Sequence, residues 1–278
     1  MSALTGRTLR ARGKRTATVA LILLVVGGMA LPARQSPRRL ERAGGVAVHY
    51  PEGTVHGFLS LRTEAGALLA HGDLTQVVRD AAVDSRMVFH FPDASVFDET
   101  VTFTQKGVFA MQVYHLVQSG PAFADDIEVA LDHSGRYLVK STTHKDGTHH
   151  QYAGVLDLPP DVYNGMVITI AKNVSPRAPE TVHIVAFTPE PRLIGLVIAP
   201  FGTHKVTIGQ HVETATDYAL KPQLGTLLHF FARVLGKVPP DSHTWIVSDQ
   251  VPAFVRYEGP LYTGPVWRIE LVAPAWPP

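Results

Sequence analysis

The 278-residue chain contains no cysteine. That absence removes disulfides, zinc–thiolate centres, cysteine nucleophiles and a lipid-modified N-terminal cysteine together. Catalytic signatures are missing too: the chain has no G-x-S-x-G elbow, no S-x-x-K with its partners and no H-E-x-x-H. Neither a P-loop nor a G-x-G-x-x-G fingerprint occurs, so no cofactor is expected. Alternating strand–helix units are absent, which disfavours a parallel α/β fold.

Long apolar runs are scarce. The clearest, residues 17–31, follows Arg7, Arg10, Arg12, Lys14 and Arg15. A membrane span needs about 20 apolar residues. A shorter run behind a basic segment has the form of a secretory signal. Residues 1–33 therefore read as a signal peptide cut after Ala30 or Ala33, or, if uncut, as an N-terminal membrane anchor. Neither cut site is a clean A-x-A, and cations on both sides of the run leave the orientation signal weak. Residues 34–48 form a basic linker, and residues 49–278 a single β-rich domain. Both fates place that body outside the cytoplasm, as a periplasmic, secreted or membrane-anchored protein.

The body also lacks positive charge. Residues 1–33 carry five cations and no acid, and residues 34–42 four arginines against Glu41. The remainder holds 16 basic and 23 acidic residues, a net of −7. A nucleic-acid binder would show the opposite balance on its folded part.

What the body does contain is alternation. With 45% hydrophobic residues, 23 Gly and 21 Pro, it has the composition of a folded, turn-rich protein. Short β-branched and aromatic runs recur about every 8–12 residues with turn signals between them. They occupy 55–62, 73–80, 86–91, 100–104, 108–117, 127–131, 136–143, 149–156, 181–187, 193–198, 205–208 and 212–219. The expected fold is mainly β, an antiparallel meander forming a curved sheet or open barrel with one or two short helices packed on it.

Two hairpins can be read in register. Asp146-Gly147 is a two-residue turn signal. It would pair His144 with His149, Thr142 with Gln151 and Arg136 with Asp157. Tyr137, Val139, Tyr152 and Leu156 then share one face and the polar residues the other, a split that a one-residue slip would destroy. Around Thr263, a second register pairs Arg256 with Glu270 and Glu258 with Arg268, opposite charges in both cases. It places Ala253, Val255 and Tyr257 on the face of Trp267, Ile269 and Leu271.

Two segments carry helical spacing. In 161–173, Asp161 is a candidate N-cap and Val162, Met166 and Ile170 recur on one side. In 223–235, between Pro222 and Gly236, a narrow polar stripe faces a broad apolar surface that must be buried.

Candidate sites are few. His144 and His149, as cross-strand neighbours, form a weak metal candidate; two ligands make no complete site, and solvated histidines at a hairpin tip are the simpler reading. Asp98-Glu99 and Asp125-Asp126 read as turn or strand-edge residues, and Asn173-Val174-Ser175 matches a glycosylation sequon. Trp245, Phe254, Tyr257, Trp267, Phe230 and Phe231 could pack in the core or line an apolar ligand cavity.

The segment from Leu156-Asp157-Leu158-Pro159-Pro160-Asp161 to Met166, with Lys172-Asn173, resembles a family of uncharacterised exported bacterial proteins. So do Pro239-Pro240-Asp241-Ser242-His243-Thr244-Trp245, Pro252 to Tyr262, and Trp267-Arg268-Ile269-Glu270-Leu271. The likeness runs from about His49 to the C-terminus and is similar in style to the DUF3108-like β proteins of the bacterial envelope. It implies no activity and no catalytic residue. The expectation is a non-enzymatic envelope protein that binds a lipid or other apolar ligand, or an envelope partner. Its rivals are an extracytoplasmic hydrolase with a dispersed Asp/Glu/His site and a structural or assembly protein.

Overall fold

The computed structural model describes residues 44–187, 190–208, 211–223, 241–247 and 251–272. Residues 1–43, all but the first residue of the helix expected over 223–235, and Phe230 and Phe231 lie outside the described residues.

From β1 (Val55–Thr63) the chain meanders through β2 (Leu68–Arg79), β3 (Ala82–His90), β4 (Val96–Lys106) and β5 (Val108–Ser119). It continues through β6 (Asp125–Asp132) and β7 (Arg136–Thr143) to β8 (His149–Val155) at one edge. A crossover carrying α1 (Val167–Ala171) leads to β9 (Glu180–Ala186) at the other edge. The return runs through β10 (Arg192–Ile208), β11 (His211–Gln223), β12 (Ser242–Val247), β13 (Ala253–Gly259) and β14 (Trp267–Leu271). β14 pairs with β1, Leu59 opposite Leu271 and Thr63 opposite Trp267. The result is one 14-stranded antiparallel sheet, curved and not closed. Mainly β, as the alternation implies, it has one five-residue helix among the described residues.

Side-chain alternation assigns the faces. On β4, Phe97, Val101 and Phe103 are buried while Asp98, Thr100 and Thr102 face outward and keep solvent contact. On β3, Val83 and Phe89 share the inner phase with Met87. Burying each such side chain contributes about 1.5–3 kcal/mol. Inner residues of both halves of the sheet join one core with the crossover, whose Val162, Tyr163, Met166 and Ile170 are buried.

The hairpin at Asp146-Gly147 reverses the chain but in a different register. Thr142 faces His149 and Arg136 faces Val155, two residues away from the expected pairing. Thr143 N–H reaches Thr148 O at 2.9 Å, so 144–147 form a four-residue loop. The cause is His144, whose backbone N–H bonds to Ala124 O at 3.0 Å and whose ring is held by Phe123 and Asp126 next to β6. A shift of two keeps every side chain on its face, so Val139 stays on the face of Tyr152 and now stands directly opposite it. Arg136 bonds to Asp132 at 2.9 Å instead of Asp157.

The C-terminal hairpin forms both charge pairs, Arg256–Glu270 at 2.7 Å and Arg268–Glu258 at 2.9 Å. A register shift against β12 opposes Trp245 to Arg256 but Ile246 to Phe254, leaving Val255 as the extra residue. The bulge reverses the phase expected for Ala253 and Val255. Phe254 turns into the core, and Val255 packs beside Trp245 in the separate cluster with Ala215 and Val247.

The helix expected over 161–173 shortens to α1 because its first half docks on β9. His183 N–H donates to Asp161 O and Tyr163 N–H to His183 O, both at 2.9 Å. The Asp161 carboxylate bonds to His183 Nδ1 at 2.8 Å and caps nothing. Asn164 mimics a strand residue, donating to Val185 O and accepting from Val185 N–H, each at 2.8 Å. Gly165 then turns the chain at φ +71; a Cβ there would lie 3.1 Å from the Tyr114 ring and from Val101. The backbone thus runs directly against the inner face of the sheet.

Candidate functional site: a cavity between α1 and the inner face

A cavity of about 160 Å³ lies where α1 spans the inner face. Leu74, Met87 and Val101 form part of one wall, on three successive strands. Phe254, Tyr257 and Ile269, from β13 and β14, stand on the other side with Leu261. Val167, Ile168 and Thr169 of α1 form the roof. The seam between β1 and β14 brings these two walls together, since Ile269 faces Leu61 across it.

On the side of β2, β3 and β4 three polar side chains interrupt this lining, with Thr169 and Lys172 on the side of α1. Gln76 and Ser85 are opposite each other on β2 and β3, and Glu99 faces Met87 one rung further on. All three lie in the inner phase of their strands. Glu99 Oε1 accepts the Tyr114 hydroxyl at 3.0 Å. Its Oε2 and the polar atoms of Gln76 and Ser85 have no hydrogen-bond partner among the described residues. Burial pushes the Glu99 carboxyl up to about 7, the Tyr114 hydrogen bond opposing that rise only in part. Burial, with the Glu99 charge beside it, holds the Tyr114 hydroxyl well above its ordinary value.

A buried ion pair stands beside the cavity wall. Lys172, just past α1, reaches Glu52 Oε2 at 2.6 Å, and Glu52 is buried. Glu52 belongs to a strap, residues 44–54, that pairs with Val108 through Ala47. Asn173 holds the strap by accepting the His49 and Tyr50 N–H groups at 3.0 and 2.8 Å. The sequon asparagine is therefore buried, with its Oδ1 accepting two backbone N–H groups and its Nδ2 donating to Thr169 O at 3.0 Å.

The six candidate lining residues separate. Phe254 and Tyr257 stand in the cavity wall. Trp267 is on the inner face but packs on Phe91 and Phe123, at 5.7 and 6.0 Å between ring centroids. Trp245 lies on the outer face between His204, His243 and Arg256. Phe230 and Phe231 lie outside the described residues. Of the metal candidates, His144 has one ring nitrogen 3.0 Å from Phe123 O and the other 2.9 Å from Asp126, whereas His149 bonds Thr142 at 2.8 Å. The hairpin register does not bring the two together.

Gln76, Ser85 and Glu99 were not singled out by sequence, and Asp98-Glu99, read as a turn or edge pair, is in an interior strand. A signal did exist: each is a polar residue in the dry phase of an alternating strand, as in Phe97-x-Glu99-x-Val101-x-Phe103. The hydrolase reading requires at least two Asp, Glu or His side chains in contact within a cleft. Glu99 is the one such residue lining this cavity whose carboxyl is displaced. The His183–Asp161 and His243–Asp217 pairs, both at 2.8 Å, belong to other parts of the sheet.

No family model matches the chain, and no curated protein matches it in sequence. Membership of the DUF3108-like proteins is therefore not shown. Two solved structures are similar in outline. A β-barrel-like protein of the domain of unknown function DUF1849 from Brucella abortus is 9% identical with a TM-score of 0.40, over 80% of this chain and 97% of that one. A Parabacteroides distasonis protein described as a "putative lipoprotein" is 11% identical with a TM-score of 0.28, over 82% of this chain and 98% of its own. At these scores neither likeness carries an argument about this chain.

Proposed function

We propose that the protein is a non-enzymatic, extracytoplasmic binding protein that takes a small apolar group into the cavity beneath α1. The carrying observation is the cavity itself, about 160 Å³ with apolar walls on both sides. It opens partly to solvent and combines an apolar lining with a few convergent polar side chains, the make-up of a small-molecule site. The volume suits a ring or a chain end of about six carbons. It is smaller than the roughly 300–1,000 Å³ of drug-sized sites, so a whole lipid would enter only by its tip. The basic and apolar N-terminal residues support an export route.

Hexan-1-ol titrated into the methyl-labelled protein is expected to shift Met87, Val101, Ile168 and Ile269 resonances, and Ile168→Phe to weaken binding by roughly ten-fold. Sequencing the exported protein is expected to give a start near residue 31 or 34. Shifts scattered over the outer face would remove the cavity reading, and an exported chain starting at Met1 or Ser2 would remove the cleaved-signal reading.

A further inference from the structure

We infer that the cavity selects a ligand whose apolar group carries a nitrogen head with N–H donors, an amine or an amide, and that Gln76, Ser85 and Glu99 make that selection. The inference rests on the binding reading above and specifies its ligand.

An ionised carboxylate only accepts hydrogen bonds, a hydroxyl donates one and accepts two, and a primary amide does both. Glu99 Oε1 is engaged by Tyr114, while Oε2, the Ser85 hydroxyl and the Gln76 amide have no partner among the described residues. Gln76 is buried and Ser85 and Glu99 are half-buried, so their unpartnered polar atoms are open to the cavity they line and mark where a polar head belongs.

The kind of head follows by matching. A plain hydrocarbon would strip water from all three groups and give nothing back. A carboxylate head would set a second negative charge beside Glu99, and the cation in the wall, Lys172, is already bonded to Glu52. An N–H head supplies the donor that Oε2 lacks. An amide head further offers a carbonyl to the Gln76 NH₂ or the Ser85 hydroxyl. The raised Glu99 pKa agrees with this arrangement: the carboxylate is held without a compensating cation, and an ammonium group would provide one.

The test is calorimetric titration of the intact protein with four six-carbon probes, hexylamine, hexanamide, hexan-1-ol and hexanoate, at about pH 8, where Glu99 is ionised. Hexylamine and hexanamide are expected to bind roughly ten-fold or more tightly than hexanoate. Glu99→Gln is expected to weaken hexylamine by roughly ten-fold while leaving hexan-1-ol within about two-fold. The comparison of heads on the unaltered protein needs no variant, and Ser85→Ala provides a second one. If hexan-1-ol and hexanoate bind as well as the nitrogen heads, the selection is overturned while the cavity reading stands. If none of the four binds, both readings fall.

Discussion

Glu99 is a single carboxyl in a row of phenylalanines and valines, and its environment sets a pH dependence for the whole fold. Its folded-state value of about 7 lies above the ordinary 4.5. The folded state therefore holds the proton more tightly than the unfolded chain. Stability from this group is fully present below about pH 4.5 and is lost as pH rises through about 7. The gap corresponds to on the order of 3 kcal/mol. Urea denaturation across that range should show stability falling with pH, and Glu99→Gln should flatten the fall. An unchanged slope in the variant would assign the effect elsewhere. The expected strand covers only 100–104, with Asp98-Glu99 read as a turn or edge pair, whereas β4 begins at Val96 and carries residue 99 in its dry phase. What alternation could not reveal is that Gln76 and Ser85, some 14–23 residues upstream, stand beside Glu99 with no partners.

The crossover is the element on which the site depends, and it behaves unlike the helix its spacing suggests. Val162, Met166 and Ile170 are all buried, as the apolar periodicity implies. Yet only five residues are helical, because strand-like bonds to β9 hold 161–164 and Gly165 has a positive φ. Local periodicity reports which side chains are dry and cannot report competition from a distant strand edge. Asn164 makes both bonds to Val185, so Asn164→Ala should leave a buried N–H and C=O unsatisfied. The expected cost is about 2–3 kcal/mol, with hydrogen exchange accelerated at Val185 and in α1 and not in β6. Uniform acceleration over the sheet would show that the crossover has no separate anchor there.

At the scale of the molecule, the two halves of the sheet are joined by its first and last strands. Leu59 lies opposite Leu271, more than 200 positions away in sequence, so the seam is a contact of very large sequence separation and should form late. Arg62 reinforces it, 3.6 Å from Glu270. Ile269→Ala, at the inner side of the seam, should cost about 2–4 kcal/mol. Both halves should still unfold together, tryptophan fluorescence and far-ultraviolet circular dichroism changing at one urea concentration. Two separate transitions would show that the halves are independent bodies joined edge to edge.

The sequence by itself determined that the body is an antiparallel β meander, which faces of most strands are dry and how β13 pairs with β14, because period-two alternation and neighbouring charges act over a few residues; it did not mark β12, the continuity of β10 or the bulge that turns Phe254 inward. It also restricted the Asp146-Gly147 hairpin to slips in steps of two residues, which leave its apolar face in place. Only the tertiary structure decided that β1 meets β14, that the crossover lies under the sheet, and that Gln76, Ser85 and Glu99 face an apolar roof. Those outcomes depend on contacts between segments far apart in the chain, whose free energy no local pattern encodes.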